Sequence, residues 1–176
     1  MKTFIVFVLL EDVPESGIRA RTRVHLLQDW IQRKLRRDRL SWAVGGVVQR
    51  LEVREGLDIE DFIPVMLQTM ERIAFAMSVR SDHGTTELLE SVDAATVRAI
   101  AAEVFGEPAP TLLPLLLNSL LVIYERREGG NHRIGFALRV VHEFLLASYF
   151  KRQRLDASGL PESVQALFGE LQAADS

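Results

Sequence analysis

Apolar residues recur at three- and four-residue intervals along most of this chain, and that recurrence predicts a succession of amphipathic helices. Val24, Leu27, Ile31 and Leu35, flanked by Leu26 and Trp30, form one stripe across Thr22–Leu40. Ser41–Gly56 is less regular: Trp42, Val44, Val47, Val48 and Leu51 suit a helix, which Gly45-Gly46 would weaken by about 1 kcal/mol per glycine. The most regular stripe is Ile63, Met66, Leu67, Met70, Ile73, Ala74 and Met77, with Asp58 or Asp61 as its cap and Pro64 in its first turn. Its methionines are expected to pack a core rather than line a binding groove. Arg80–Gly84 reads as a turn. Asp93 is placed to cap a helix through Val97, Ile100, Ala101, Val104 and Phe105, which Gly106 ends. Beyond the connector Glu107-Pro108-Ala109-Pro110, Thr111 caps a helix over Leu112–Ser119 that is apolar nearly all round and therefore buried. A turn at Ser158-Gly159 precedes a last helix marked by Val164, Leu167, Phe168 and Leu171.

The period changes between Leu121 and Phe150. Leu121–Arg127 and Arg133–Leu138 are rich in apolar, β-branched and aromatic residues, and the Gly129-Gly130-Asn131 between them tolerates positive φ, so the segment reads as a β-hairpin. Directly after it Val141, Phe144, Leu145 and Ser148 fall at helical spacing, with Arg139 and Glu143 left for the opposite face. Helices leading into a hairpin that runs on into an apolar helix are the layout of a winged helix. The fold expected is mainly α. A small helical domain occupies 1–56, a winged-helix domain with a three-helix core and a hairpin wing occupies 57–154, and 155–176 is a C-terminal helix that begins a further helical region or forms a tail.

Composition narrows the function classes. With 48% hydrophobic and 26% charged residues, the chain has the balance of a globular protein able to bury a core. A net charge of −3 and a pI near 5.8 argue against charge-driven nucleic-acid binding over the whole surface. The absence of cysteine removes disulfides and thiolate metal sites. Lys2 precedes the short apolar run of MKTFIVFVLL, but no small-residue cleavage site follows and Glu11-Asp12 interrupts it. The run is far short of the ~20 residues of a membrane span, so it is expected to be a buried helix end or strand in a cytoplasmic chain. Arg33, Lys34, Arg36, Arg37 and Arg39 crowd the end of the first stripe, where cations suit the carbonyl pole of a helix; Arg19, Arg21 and Arg23 lie upstream.

Catalytic patterns are mostly missing. A phosphate-cradling loop needs Gly-Lys followed by Ser or Thr, and none of Lys2, Lys34 and Lys151 follows a glycine. His142-Glu143 begins like a zinc-protease helix, but the second histidine would have to stand where Leu146 does. Gly-x-Ser-x-Gly is absent, Asp82 and His83 have no further metal ligand nearby, and no acidic residue stands in an obviously apolar context. The chain is expected not to be an enzyme and to hold no metal.

Phe136-Ala-Leu-Arg-Val-Val-His-Glu143-Phe144-Leu-Leu-Ala147-Ser-Tyr149-Phe resembles the Phe-x-His-x-Ser/Thr-x-x-Glu-Phe-Leu-Ala-Ala-x-Tyr signature of NACHT-type STAND nucleotide switches. That signature lies in the winged helix following the nucleotide-binding core. The order upstream is similar too, with Arg21-Thr-Arg-Val-His-Leu-Leu-Gln-Asp-Trp-Ile where the family begins a small helical domain. The resemblance spans Phe4–Phe150, with Phe136, Glu143, Phe144 and Tyr149 as structural motif positions. It departs from the family at Leu138, which stands where the family's histidine reaches the nucleotide phosphates, and at His142, where glutamine is usual.

What the resemblance implies is a non-catalytic module that packs on an ATPase core, in cis or in trans, and holds or releases it in signalling or bacterial defence. ATP or ADP would belong to that core and not to this chain. Isolated from that core, the chain is expected to be prone to self-association, with exposed leucine or valine around Leu112–Leu117 or along Thr22–Leu40. The competing expectation is a winged-helix DNA-binding regulator whose wing residues Arg126, Arg127, His132 and Arg133 touch phosphates. Against it, Leu112–Ser119 offers only Thr111, Asn118 and Ser119 to read bases. A purely structural adaptor is the third expectation.

Overall fold

The computed structural model describes residues 22–44, 59–106, 124–128 and 131–174. Among them the fold is mainly helical. The elements are α1 (Arg23–Val44), α2 (Ile59–Ala76), β1 (Ser78–Arg80), β2 (Thr86–Leu88), β3 (Val92–Asp93), α3 (Ala94–Phe105), β4 (Tyr124–Glu128), β5 (Asn131–Gly135), α4 (Arg139–Gln153) and α5 (Glu162–Ala173). The opening apolar run, Gly45–Asp58, the connector at 107–110, the expected helix Leu112–Ser119, Leu121–Ile123 and Gly129-Gly130 lie outside the described residues.

α4 is the hub. From Val140 to Ala147 every residue is buried, so this helix is enclosed on all sides, by α2, α5 and α1. The stripes read from the sequence supply its surroundings: Val24, Leu27, Ile31 and Leu35 from α1, Met66, Met70, Ile73 and Met77 from α2, and Val164, Leu167 and Leu171 from α5. All of them join one continuous core, in which the methionines pack as interior residues. Val24, Leu27, Ile31 and Leu35 of α1 are therefore covered within the chain, where exposed apolar residues were expected.

Local chemistry sets the helix ends. Asp93 accepts a 2.7 Å hydrogen bond from the Ala95 amide and starts α3, and Gly106 ends it at a φ of 66°, a value a side chain would make costly. α2 starts earlier than its stripe suggested: Asp61 lies inside it, and Pro64 is its sixth residue rather than part of its first turn. α4 closes at Arg154, in the left-handed region at φ 54°.

Two antiparallel sheets sit beside the helices. β1 and β2 pair with Val79 opposite Glu87, forming a hairpin where only a turn was read at Arg80–Gly84. The other sheet has the order β3-β5-β4, with Val92 opposite Ile134 and Arg126 opposite Arg133. The expected hairpin is thus present but displaced. Glu128 pairs with Asn131, so Gly129-Gly130 alone connect the strands, and Phe136–Leu138 are not strand. Phe136 is buried instead, leaving the sheet to enter the core. Gly135 allows this turn to lie close, since a Cβ there would collide with the Glu90 carbonyl oxygen.

Candidate functional site

A buried helix holding His142 and Glu143 must supply partners for both side chains. Glu143 was read as belonging to the outer face of α4, but only 6% of it is exposed. Its Oε1 accepts from Arg139 Nε at 2.9 Å and from Ser163 Oγ at 2.9 Å. The carboxylate thus joins the first turn of α4 to the first turn of α5. His142 donates from Nε2 to the Ala74 carbonyl at 3.2 Å and stacks on Phe136 with ring centroids 5.2 Å apart. It thereby satisfies a carbonyl at the end of α2, where no helical amide follows. Burial holds the imidazole below its ordinary value of 6.5, the Ala74 bond opposing this only in part.

The remaining motif positions also pack. Phe144 is buried, and Tyr149 stacks on Phe75 at 4.5 Å with ring planes 20° apart. Leu138 is 39% exposed and forms the N-cap of α4 without a side-chain bond. Arg139 and His142 border a cavity of about 350 Å³ beside it, shared with Met77, Leu88 and Glu90.

The four residues expected to contact DNA divide. Arg133 is half-buried, and its guanidinium donates to Ser91 Oγ at 2.9 Å and to the Ser91 carbonyl at 2.7 Å. It therefore binds β5 to the segment ahead of β3. His132, also half-buried, stands opposite Arg127 in the ladder. For Arg126 and Arg127 the backbone is placed, and their side chains lie outside the described atoms.

Sequence reading missed a second buried acid. Glu71, on α2, is 4% exposed and meets Arg152 of α4, with Oε2 2.8 Å from Nε and Oε1 accepting from a terminal guanidinium nitrogen at 3.0 Å. Burial raises this carboxyl above its ordinary value of 4.5, against the opposing pull of Arg152. The pair lies at a cavity of about 420 Å³ between α1, α2, α4 and α5, bordered also by His25, Lys151 and Ala174. Lys151 Nζ donates to the Leu171 carbonyl at 2.6 Å, so this cation serves the end of α5.

Together these groups pin helices to one another, and among the described residues no set of three or more His, Asp or Glu side chains is grouped to hold a metal ion. Nor is any described helix long and apolar enough to cross a membrane. Neither a family model, nor a curated protein, nor a solved structure matches this chain.

Proposed function

We propose that this chain is a regulatory helical and winged-helix module of a NACHT-like nucleotide switch, which packs against an ATPase core and holds or releases it. The observation that carries the reading is the order α2, β1, β2, β3, α3, β4, β5, α4, in which β1 and β2 form a separate hairpin and β5 lies between β3 and β4 in the sheet. A short strand before the second helix of the unit, paired to the far arm of a later hairpin, is how a winged helix is strung. The motif adds support: Glu143 is buried and bonded to Arg139 and Ser163, so this glutamate has a packing role that needs no nucleotide. Leu138 cannot donate a hydrogen bond to a phosphate, so the module acts on the core through surface contact and not by sensing nucleotide itself.

The test is to mix the purified chain with the ATPase core encoded in frame with it or beside it, and to follow release of a fluorescent ADP analogue. The module is expected to slow release, and Glu143→Ala, which unfastens α4 from α5, to lose that effect. An unchanged release rate, together with no complex on size-exclusion chromatography, would end the switch reading. A mobility-shift titration tests the regulator: a preferred duplex site bound below micromolar at physiological salt, and lost in an Arg126→Ala, Arg127→Ala double variant, would replace one reading by the other.

A further inference from the structure

A cavity of about 450 Å³ with a largely apolar wall lies between the β1–β2 hairpin, the C-terminal half of α4 and the loop Leu155–Leu160. Phe75, Phe150, Leu155 and Leu160 form its apolar wall, and Arg80 and Asp156 border it from two different elements. Phe75 and Leu155 remain 40% and 41% exposed, whereas Leu160 beside them is buried. Leaving two large side chains open to water sacrifices stabilisation of about 25 cal/mol per Å² of apolar surface.

The walls are fixed. Ser81 Oγ and Thr85 Oγ1 lie 2.6 Å apart across the hairpin turn, and the Thr86 amide donates to the Gly159 carbonyl at 2.7 Å. Gln165 Nε2 donates to the carbonyls of Ser158 and Leu160, and Ser158 donates to Asp156 from its amide and its hydroxyl. Gly159 abuts Gly84 so closely that a Cβ would strike the Gly84 carbonyl oxygen. Those two bonds from Ser158, aided by the Arg80 charge, keep the Asp156 carboxyl below its ordinary value of 3.8 and therefore ionised at neutral pH. The result is a preformed apolar cavity with one fixed anion and one cation at its rim. The Arg80 charge reaches the Asp156 carboxyl, and both residues border the cavity.

We propose that this cavity binds a free α-amino acid with a large apolar side chain. Its carboxylate would face Arg80, its ammonium would face Asp156, and its side chain would lie against Phe75, Phe150, Leu155 and Leu160. A ligand bearing only one charge leaves the opposite rim charge without a partner, and one lacking the apolar body leaves the wall wet. The site shares no residue with the motif positions or with the β4–β5 hairpin, and it touches them only where the rings of Phe75 and Phe150 meet Tyr149. It stands whether or not the switch reading does.

The test is calorimetric titration of the full chain with L-phenylalanine, alongside 3-phenylpropionate, phenethylamine and glycine. L-phenylalanine is expected to bind saturably at one site, and each single-charge analogue to bind about tenfold more weakly, as the loss of one charged hydrogen-bond partner implies. Asp156→Asn should weaken phenylalanine while leaving phenylpropionate unchanged, and Arg80→Met should weaken phenylalanine while leaving phenethylamine unchanged. Both residues are exposed, and an asparagine at 156 retains an oxygen to accept from the Ser158 amide. No saturable heat with phenylalanine, equal binding of the single-charge analogues, or indifference to both substitutions would overturn the assignment.

Discussion

Replacing Arg152 by alanine removes the guanidinium paired with Glu71, a residue only 4% exposed. A buried charge so abandoned takes up a proton, and the cost of doing so sets the upper limit of the damage. From an ordinary value of 4.5 to pH 7, at 1.36 kcal/mol per pH unit, that limit is about 3.4 kcal/mol. The sign follows from linkage. In Arg152→Ala the folded-state value of Glu71 rises further above 4.5, so the group contributes stability below 4.5 that is lost as pH rises through the folded-state value. The variant's deficit should thus be about 3 kcal/mol at pH 7 and shrink by up to about 1.4 kcal/mol per pH unit toward pH 5. Glu71→Gln should behave differently. It strands only Arg152, whose side chain is 48% exposed and keeps its water, so the loss should stay below about 1 kcal/mol. Urea unfolding followed by circular dichroism at pH 5, 6 and 7 measures both. A deficit for Arg152→Ala that does not vary with pH, or a Glu71→Gln deficit equally large, would falsify the account of a charge left buried.

Three further outcomes are expected. Gly135→Ala forces a Cβ into the Glu90 carbonyl oxygen and should cost about 1–3 kcal/mol, read as a lowered urea midpoint with an unchanged slope. His142 is held neutral by burial, and a group with a lowered folded-state value loses stability as pH falls below its unfolded value of 6.5. Stability should decline by up to about 1.4 kcal/mol per unit below that pH, and a His142→Gln variant should show a correspondingly flatter profile in the same titration. The purified chain should not turn over ATP, because no phosphate-cradling loop exists in its sequence; turnover persisting through repurification would reveal a site outside any known pattern.

The helices were legible because their information is local. One stripe per helix named Val24 through Leu35, Ile63 through Met77 and Val164 through Leu171, and the caps Asp93 and Gly106 signal through the chain next to them. The hairpin was legible in kind but not in register. Its strands are mostly polar, running Tyr124–Glu128 and Asn131–Gly135, whereas the apolar residues at 136–138 drew the reading beyond the strand end. β1, β2 and β3 have two or three residues each, too few for a period to show. The polar interior was not legible at all. Glu71 finds Arg152 81 residues away, and His142 finds Ala74 68 residues away, so only the folded chain makes either acid or imidazole a candidate for burial. Glu143 illustrates the ambiguity best: placed outside by helical spacing, it turned inward because Ser163, 20 residues on, offers a hydroxyl there.

One cavity bordered by both His25 and Ala174 has a mechanical meaning. The chain comes into the described fold and departs from it at the same spot, with the beginning of α1 beside the end of α5. Whatever flanks these helices is held side by side by a clasp made of α1 against α5 and Lys151 against Leu171. Tension drawing the flanks apart would load that clasp one contact at a time, as a zip is opened, instead of shearing the core as a whole. The weakest point under load is therefore set where neighbouring segments attach, and the hub helix α4 feels it early, through Lys151.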